Sequence, residues 1–127
     1  SGLYVEWKMS PQSLDYNVPQ IFQVTTAVRK DLAEAALAII SSRHESLRTR
    51  FCEGDRRVLQ VIERTAELVA DESDALSVEE GQLIARQFLE REFNLHVCPL
   101  IRLLVLHVRD EVDRLVFSLH HIIFDHG

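Results

Sequence analysis

Basic clusters are missing from this sequence. Its 14 Lys and Arg are outnumbered by 20 Asp and Glu, the net charge is −6, and no basic block stands out. Nucleic-acid binding leaves a clustered basic footprint, so nucleic acid is not an expected partner. Long apolar runs are missing too. No stretch approaches the roughly 20 residues that a membrane-crossing helix needs, which argues against a membrane partner. The opening SGLYVEWKM mixes acid with base and has no signal-peptide hydrophobic region. Cysteine is scarce: Cys52 and Cys98 stand far apart with no CxxC partner. They read as buried free thiols in a reducing cytosol, not as a disulfide scaffold. Gly and Pro number only 4 and 3, and nothing repeats, which excludes fibrous and low-complexity classes.

What is there is a globular composition, 46% hydrophobic and 27% charged over 127 residues, enough to bury one domain's core. SPQSLDYNVP (10–19) has the Pro, Ser, Asp and Asn of a loop. IFQVTTAV (21–28) alternates and is β-branched, which predicts a strand. In the next stretch Asp31, with Glu34 three residues on, has the spacing of a helix N-cap and capping box. Leu32, Ala36, Ile39 and Arg43 share one face of that helix, with Ala35 and Ile40 beside them. LRTRF and RVLQVI are expected as short strands around Glu53, Gly54 and Asp55. ADESDAL reads as a polar connection to a second helix, opening at Ser77 with Glu80 at capping-box spacing and with Ile84, Ala85, Phe88 and Leu89 as its apolar face. PLIRLLVLHV and RLVFSLHHII, joined by RDEVD, predict adjacent antiparallel strands in the middle of a sheet. The order is α+β, a mostly antiparallel sheet with helices packed on it.

The last residues, LHHIIFDHG, crowd His120, His121, Asp125 and His126 at the end of an apolar strand. Imidazole is the side chain suited to moving a proton near neutral pH. Within a strand, Leu115, Phe117, Leu119, His121 and Ile123 point one way, and Val116, Ser118, His120 and Ile122 the other. His120 and His121 then cannot enter one pocket, so no metal site is expected, although a turn after Ile123 would let His121 and Asp125 converge. Hydrogen-bonded core histidines are the bland alternative.

HHIIFDHG resembles the HHxxxDG signature of nonribosomal peptide synthetase condensation domains and their chloramphenicol acetyltransferase-like relatives. RHESLRTRF, from Arg43 to Phe51, resembles the family's RHExLRTxF motif at every fixed position. EFNLHVCPLIRLLVLHV is similar to its FDL…PLLR segment, and LYVEW to the end of its first helix motif. The resemblance implies an acyltransferase that joins a donor thioester to an acceptor amine. Both substrates ride on phosphopantetheine arms of carrier proteins, and no cofactor is bound by the domain itself.

By this similarity His121 is the catalytic residue, as general base or as orienting hydrogen-bond partner, and His120 supports the structure. Asp125 is expected to pair with Arg48, or failing that with Arg43. One departure stands out: His126 occupies the family's glycine position, with Gly127 following. That implies an altered channel lined by His126 and Gly127, a specialised subtype, or an inactive domain. The resemblance further implies that residues 1–127 are one partial domain, the N-terminal lobe, ending at the motif. Its partners would be the C-terminal lobe, carrier domains and adenylation neighbours, in the cytoplasm. Alone, such a lobe would be inactive and would expose an apolar seam. Two alternatives remain: a coenzyme A-dependent acyltransferase of the same superfamily, and a non-catalytic docking lobe.

Overall fold

The structure, a computed structural model, describes residues 17–125, with side chains as far as Ile123. LYVEW, most of the 10–19 loop, His126 and Gly127 lie outside the described residues. In chain order the elements are β1 (Asn17–Val24), α1 (Lys30–Arg43), a 3₁₀ turn (Glu45–Arg48), β2 (Thr49–Gly54) and β3 (Arg57–Ile62). There follow β4 (Asp71–Ala75), α2 (Val78–Leu89), β5 (Ile101–Val108), β6 (Asp113–His120) and a short helix α3 (Ile122–Asp125).

One sheet has four strands in the order β1-β6-β5-β4, and β2 pairs with β3 in a separate antiparallel ribbon. The expected hairpin is central: β5 and β6 pair antiparallel with Leu103 opposite Phe117 and Leu104 opposite Val116. Strand β5 is buried on both faces because a helix covers each. On one face Leu37 of α1 packs with Phe51, Leu100, Ile101, Leu103, Ile122 and Ile123. On the other, Ala85 and Phe88 of α2 pack with Leu104, Leu106, Val108 and Val116. The class is the α+β arrangement expected, antiparallel apart from β4, which runs parallel to β5.

Four expectations need correction. ADESDAL is not a plain connection, since Asp71–Ala75 forms edge strand β4. Its charges suit an edge, where Asp and Glu discourage further strands from adding. The first strand spans 17–24, not 21–28, and takes in Pro19, which lacks an N–H and is tolerated because β1 is an edge among the described residues. Helix α1 begins one residue before Asp31, and Arg29 precedes it without a side-chain cap. Asp31 instead pairs with Arg29 at 2.6 Å, and Glu34 accepts the Ala70 N–H, also at 2.6 Å. The buried face of α1 is Leu37 and Ser41 with Ala33, while Leu32 and Ile39 are more than half exposed. Its apolar residues run nearly all round, so periodicity alone picks no face. The second helix opens as expected: Ser77 Oγ accepts the Glu80 N–H at 3.1 Å, and Glu80 Oε1 accepts the Leu76 N–H at 3.2 Å.

Candidate functional site

The strand carrying the histidines stops sooner than alternation would have it. β6 ends at His120, His121 is a turn residue, and α3 follows at once. Ile122 and Ile123 are therefore both buried, not split between two faces. The separation of the two histidines survives this change: His120 is 2% exposed and His121 is exposed.

His120 is built into the fold. Its backbone N–H donates to Leu100 O at 3.0 Å, and its Nδ1 accepts the Ile122 N–H at 3.0 Å. An acceptor at Nδ1 fixes the neutral ring with its proton on Nε2. The ring stands edge-on to Phe93, centroids 6.0 Å apart. Burial, and secondarily the neighbouring His121, lower its pKa to about 4, so it is neutral at pH 7. His121 occupies the next position on the exposed turn, where an incoming group can reach it.

Arg48 and Arg43 part company. Arg43 is exposed in the last turn of α1. Arg48 is half-buried, donating from Nε to Ser41 O at 2.9 Å and from Nη1 to Glu63 O at 2.7 Å. It thereby ties the end of α1 to the chain leaving β3. Helix α3, which includes Asp125, packs against the 3₁₀ turn that ends at Arg48. The Asp125 side chain lies outside the described residues. Among the described residues no His, Cys, Asp and Glu cluster could hold a metal ion.

An apolar cleft of about 470 Å³ opens beside the turn, lined by Ile40, His44, Ser46, Leu47, Ile101, Leu119 and Ile123. Another cavity, about 500 Å³, lies on the opposite sheet face between α2, Ile21 and Val116, and no histidine lines it. The chemistry-bearing turn thus belongs to the α1 side of the sheet. Sequence reasoning singled out neither Phe93 nor His107. The latter holds Glu72 at 2.7 Å and Asp113 at 3.0 Å through its two ring nitrogens. A lone histidine inside the apolar strand IRLLVLHV was the available signal.

A buried neutral imidazole thus stands beside an exposed one, at the end of a sheet and near an arginine-bearing turn. The chain belongs to the condensation domain family, whose model matches residues 1–126. It is 35% identical over 125 residues to bacitracin synthase 3 of Bacillus licheniformis, covering 97% of this chain and 2% of that protein. It is 31% identical over 112 residues to gramicidin S synthase 2 of Brevibacillus brevis, covering 88% of this chain and 2% of that protein. Among solved structures, the starter condensation domain of rhizomide synthetase superposes with a TM-score of 0.80 at 22% identity, covering 95% of this chain and 30% of that chain. The first condensation domain of the CDA synthetase gives 0.82 at 11% identity, covering 94% and 33%. The chain matches the N-terminal part of such domains and spans only a few per cent of its curated relatives.

Proposed function

We propose that these residues form the N-terminal lobe of a condensation domain that makes amide bonds within a nonribosomal peptide synthetase. The acceptor amine attacks the donor thioester carbonyl. A C–N bond forms, the C–S bond breaks, the donor's phosphopantetheine leaves as thiol, and the amine gives up one proton. His121 is the hydrogen-bond partner of that amine, holding it in line or taking its proton. The observation that carries this reading is the contrast between the two histidines: His120 is sealed and neutral, His121 is presented.

Asp125 pairs with Arg48 in this reading. Support comes from the packing of α3 on the 3₁₀ turn and from the two backbone bonds that already hold the guanidinium, with Nη2 the donor left over. Carrier domains bring both substrates on their arms, a C-terminal lobe closes the site, and adenylation domains are the neighbours in the synthetase. The domain binds no cofactor of its own. The half-buried free thiols Cys52 and Cys98 suit a reducing cytoplasm. His126 and Gly127 line the channel in this reading.

The test is His121→Ala in the complete synthetase with both carrier proteins loaded. Amide formation should fall about 10²–10⁴-fold if His121 moves the proton, less if it only orients the amine. The thermal midpoint should not move, because an exposed imidazole contributes little packing. Wild-type amide formation by that variant would sink the reading.

A further inference from the structure

Strand β5 reads IRLLVLHV, and Arg102 is a full charge set among aliphatic neighbours. Such a position costs solvation, and burial indeed lowers the Arg102 pKa. The structure shows what the charge does there. Its Nη1 donates to Arg91 O at 3.3 Å and its Nη2 to Glu92 O at 2.8 Å. Both carbonyls belong to the chain just before Phe93. The guanidinium carbon lies 4.2 Å from the centroid of the Phe93 ring, so the cation also covers the ring it has anchored. Phe93, 4% exposed, is the ring whose edge geometry confines His120.

The remaining links follow from the pairing of β5 with β6. Arg102 stands opposite Ser118, two residues before His120 on the same face. His120 in turn takes the Ile122 N–H on Nδ1, closing the turn in which His121 sits. A rotation of the His120 ring by a fraction of its width would release that N–H and unfasten α3 from the strand.

We propose that Arg102 is a positioning residue: acting through Phe93, it holds His120 in the orientation and tautomer that close the His121 turn. Its consequence for amide formation rests on the function proposed above, but its effect on His120 does not. The geometry asks for three things at once of residue 102: a cation, a planar face to lie on Phe93, and two donors for the 91 and 92 carbonyls. Lysine supplies the cation and donors, but neither the planar face nor the rigid fork that reaches both carbonyls while lying on the ring.

The experiment uses the complete synthetase for kinetics and its intact condensation domain, labelled with ¹⁵N-histidine, for spectroscopy. In the unaltered protein the two His120 ring nitrogens should give widely separated signals, one protonated and one accepting. With Arg102→Met these should move toward each other as the tautomers mix. The kcat for amide formation should drop about ten- to a hundredfold, because a small misplacement of a reacting group is costly, while KM for the carrier-bound substrates stays within about twofold. Arg102→Lys should fall between, and it carries the same readouts if Arg102→Met does not fold. An unchanged His120 spectrum in the folded variant overturns the proposal. If the spectrum changes while kcat is kept, the positioning of His120 stands and the catalytic consequence is withdrawn. His121→Ala in parallel separates the two claims, since loss of the catalytic reading would leave its own rate unchanged and the Arg102 effect on His120 intact.

Discussion

At residue scale the two adjacent histidines differ in what water does for them. In the unfolded chain His120 takes up a proton near its ordinary pKa of about 6.5, and in the fold only at about 4. Between these values the unfolded state holds more protons, so stability falls as the pH falls. The contribution of His120 is complete above about pH 6.5 and is lost as the pH drops through about 4. Urea midpoints measured from about pH 7.5 down to about 4.5 should show that decline. A His120→Gln variant, starting from a lower midpoint, should decline less over the same range. Equal slopes for both proteins would show that some other group is titrating.

At the scale of elements, the close approach of α2 to the sheet depends on one missing side chain. Gly81 lies in the first turn of α2, and a Cβ there would meet Val108 Cγ2 at 3.1 Å and Ala75 Cβ at 3.6 Å. Gly81→Val places a branched side chain whose Cβ already crowds Val108. It should cost about 1–3 kcal/mol by overpacking, seen as a lower denaturation midpoint with an unchanged slope. A midpoint equal to wild type would mean that α2 can ride higher on β4 and β5 than its contacts suggest. The elements were unequally legible in the sequence. The β5–β6 hairpin and the Ser77 start of α2 could be read because apolar runs and caps are local signals. Strand β4 could not, since DESDA becomes a strand only by pairing beside β5, a contact that composition does not encode. The buried face of α1 was misread for a related reason: Leu32, Ile39 and Ile40 are as apolar as Leu37, and tertiary packing chose among them. The histidine motif was legible, and the burial of His120 beside an exposed His121 agrees with alternation. The early end of β6 does not, because the Ile122 N–H is captured by a side chain instead of a neighbouring strand.

For the whole molecule, His107 joins three strands: it bridges Glu72 of β4 and Asp113 of β6 from its place on β5. The same Asp113 oxygen accepts the Val28 N–H at 2.7 Å, so the chain after β1 is tied in as well. The bond to Glu72 most of all raises the His107 pKa; burial opposes it, and the bond to Asp113 adds to the rise. The sign is therefore opposite to that of His120. The folded state holds the proton more tightly, so this stabilisation is full below about pH 6.5 and is lost as the pH rises through the raised value. Midpoints taken from about pH 6 to about 9 should fall for the wild type and stay flatter for His107→Gln; a wild type as flat as the variant would refute the clamp. The sheet order has a consequence of a different kind, in time. Among the described residues β1 has one neighbour, β6, and Asn17 meets His120 across nearly the whole described chain. Among the described residues, β1 is made well before its partner β6. Ile21 and Phe22, each about half exposed even in the finished sheet, stand bare for that interval. Pairings between ends so distant in sequence are slow to close. On the ribosome, β6 must therefore be made before β1 can join its edge.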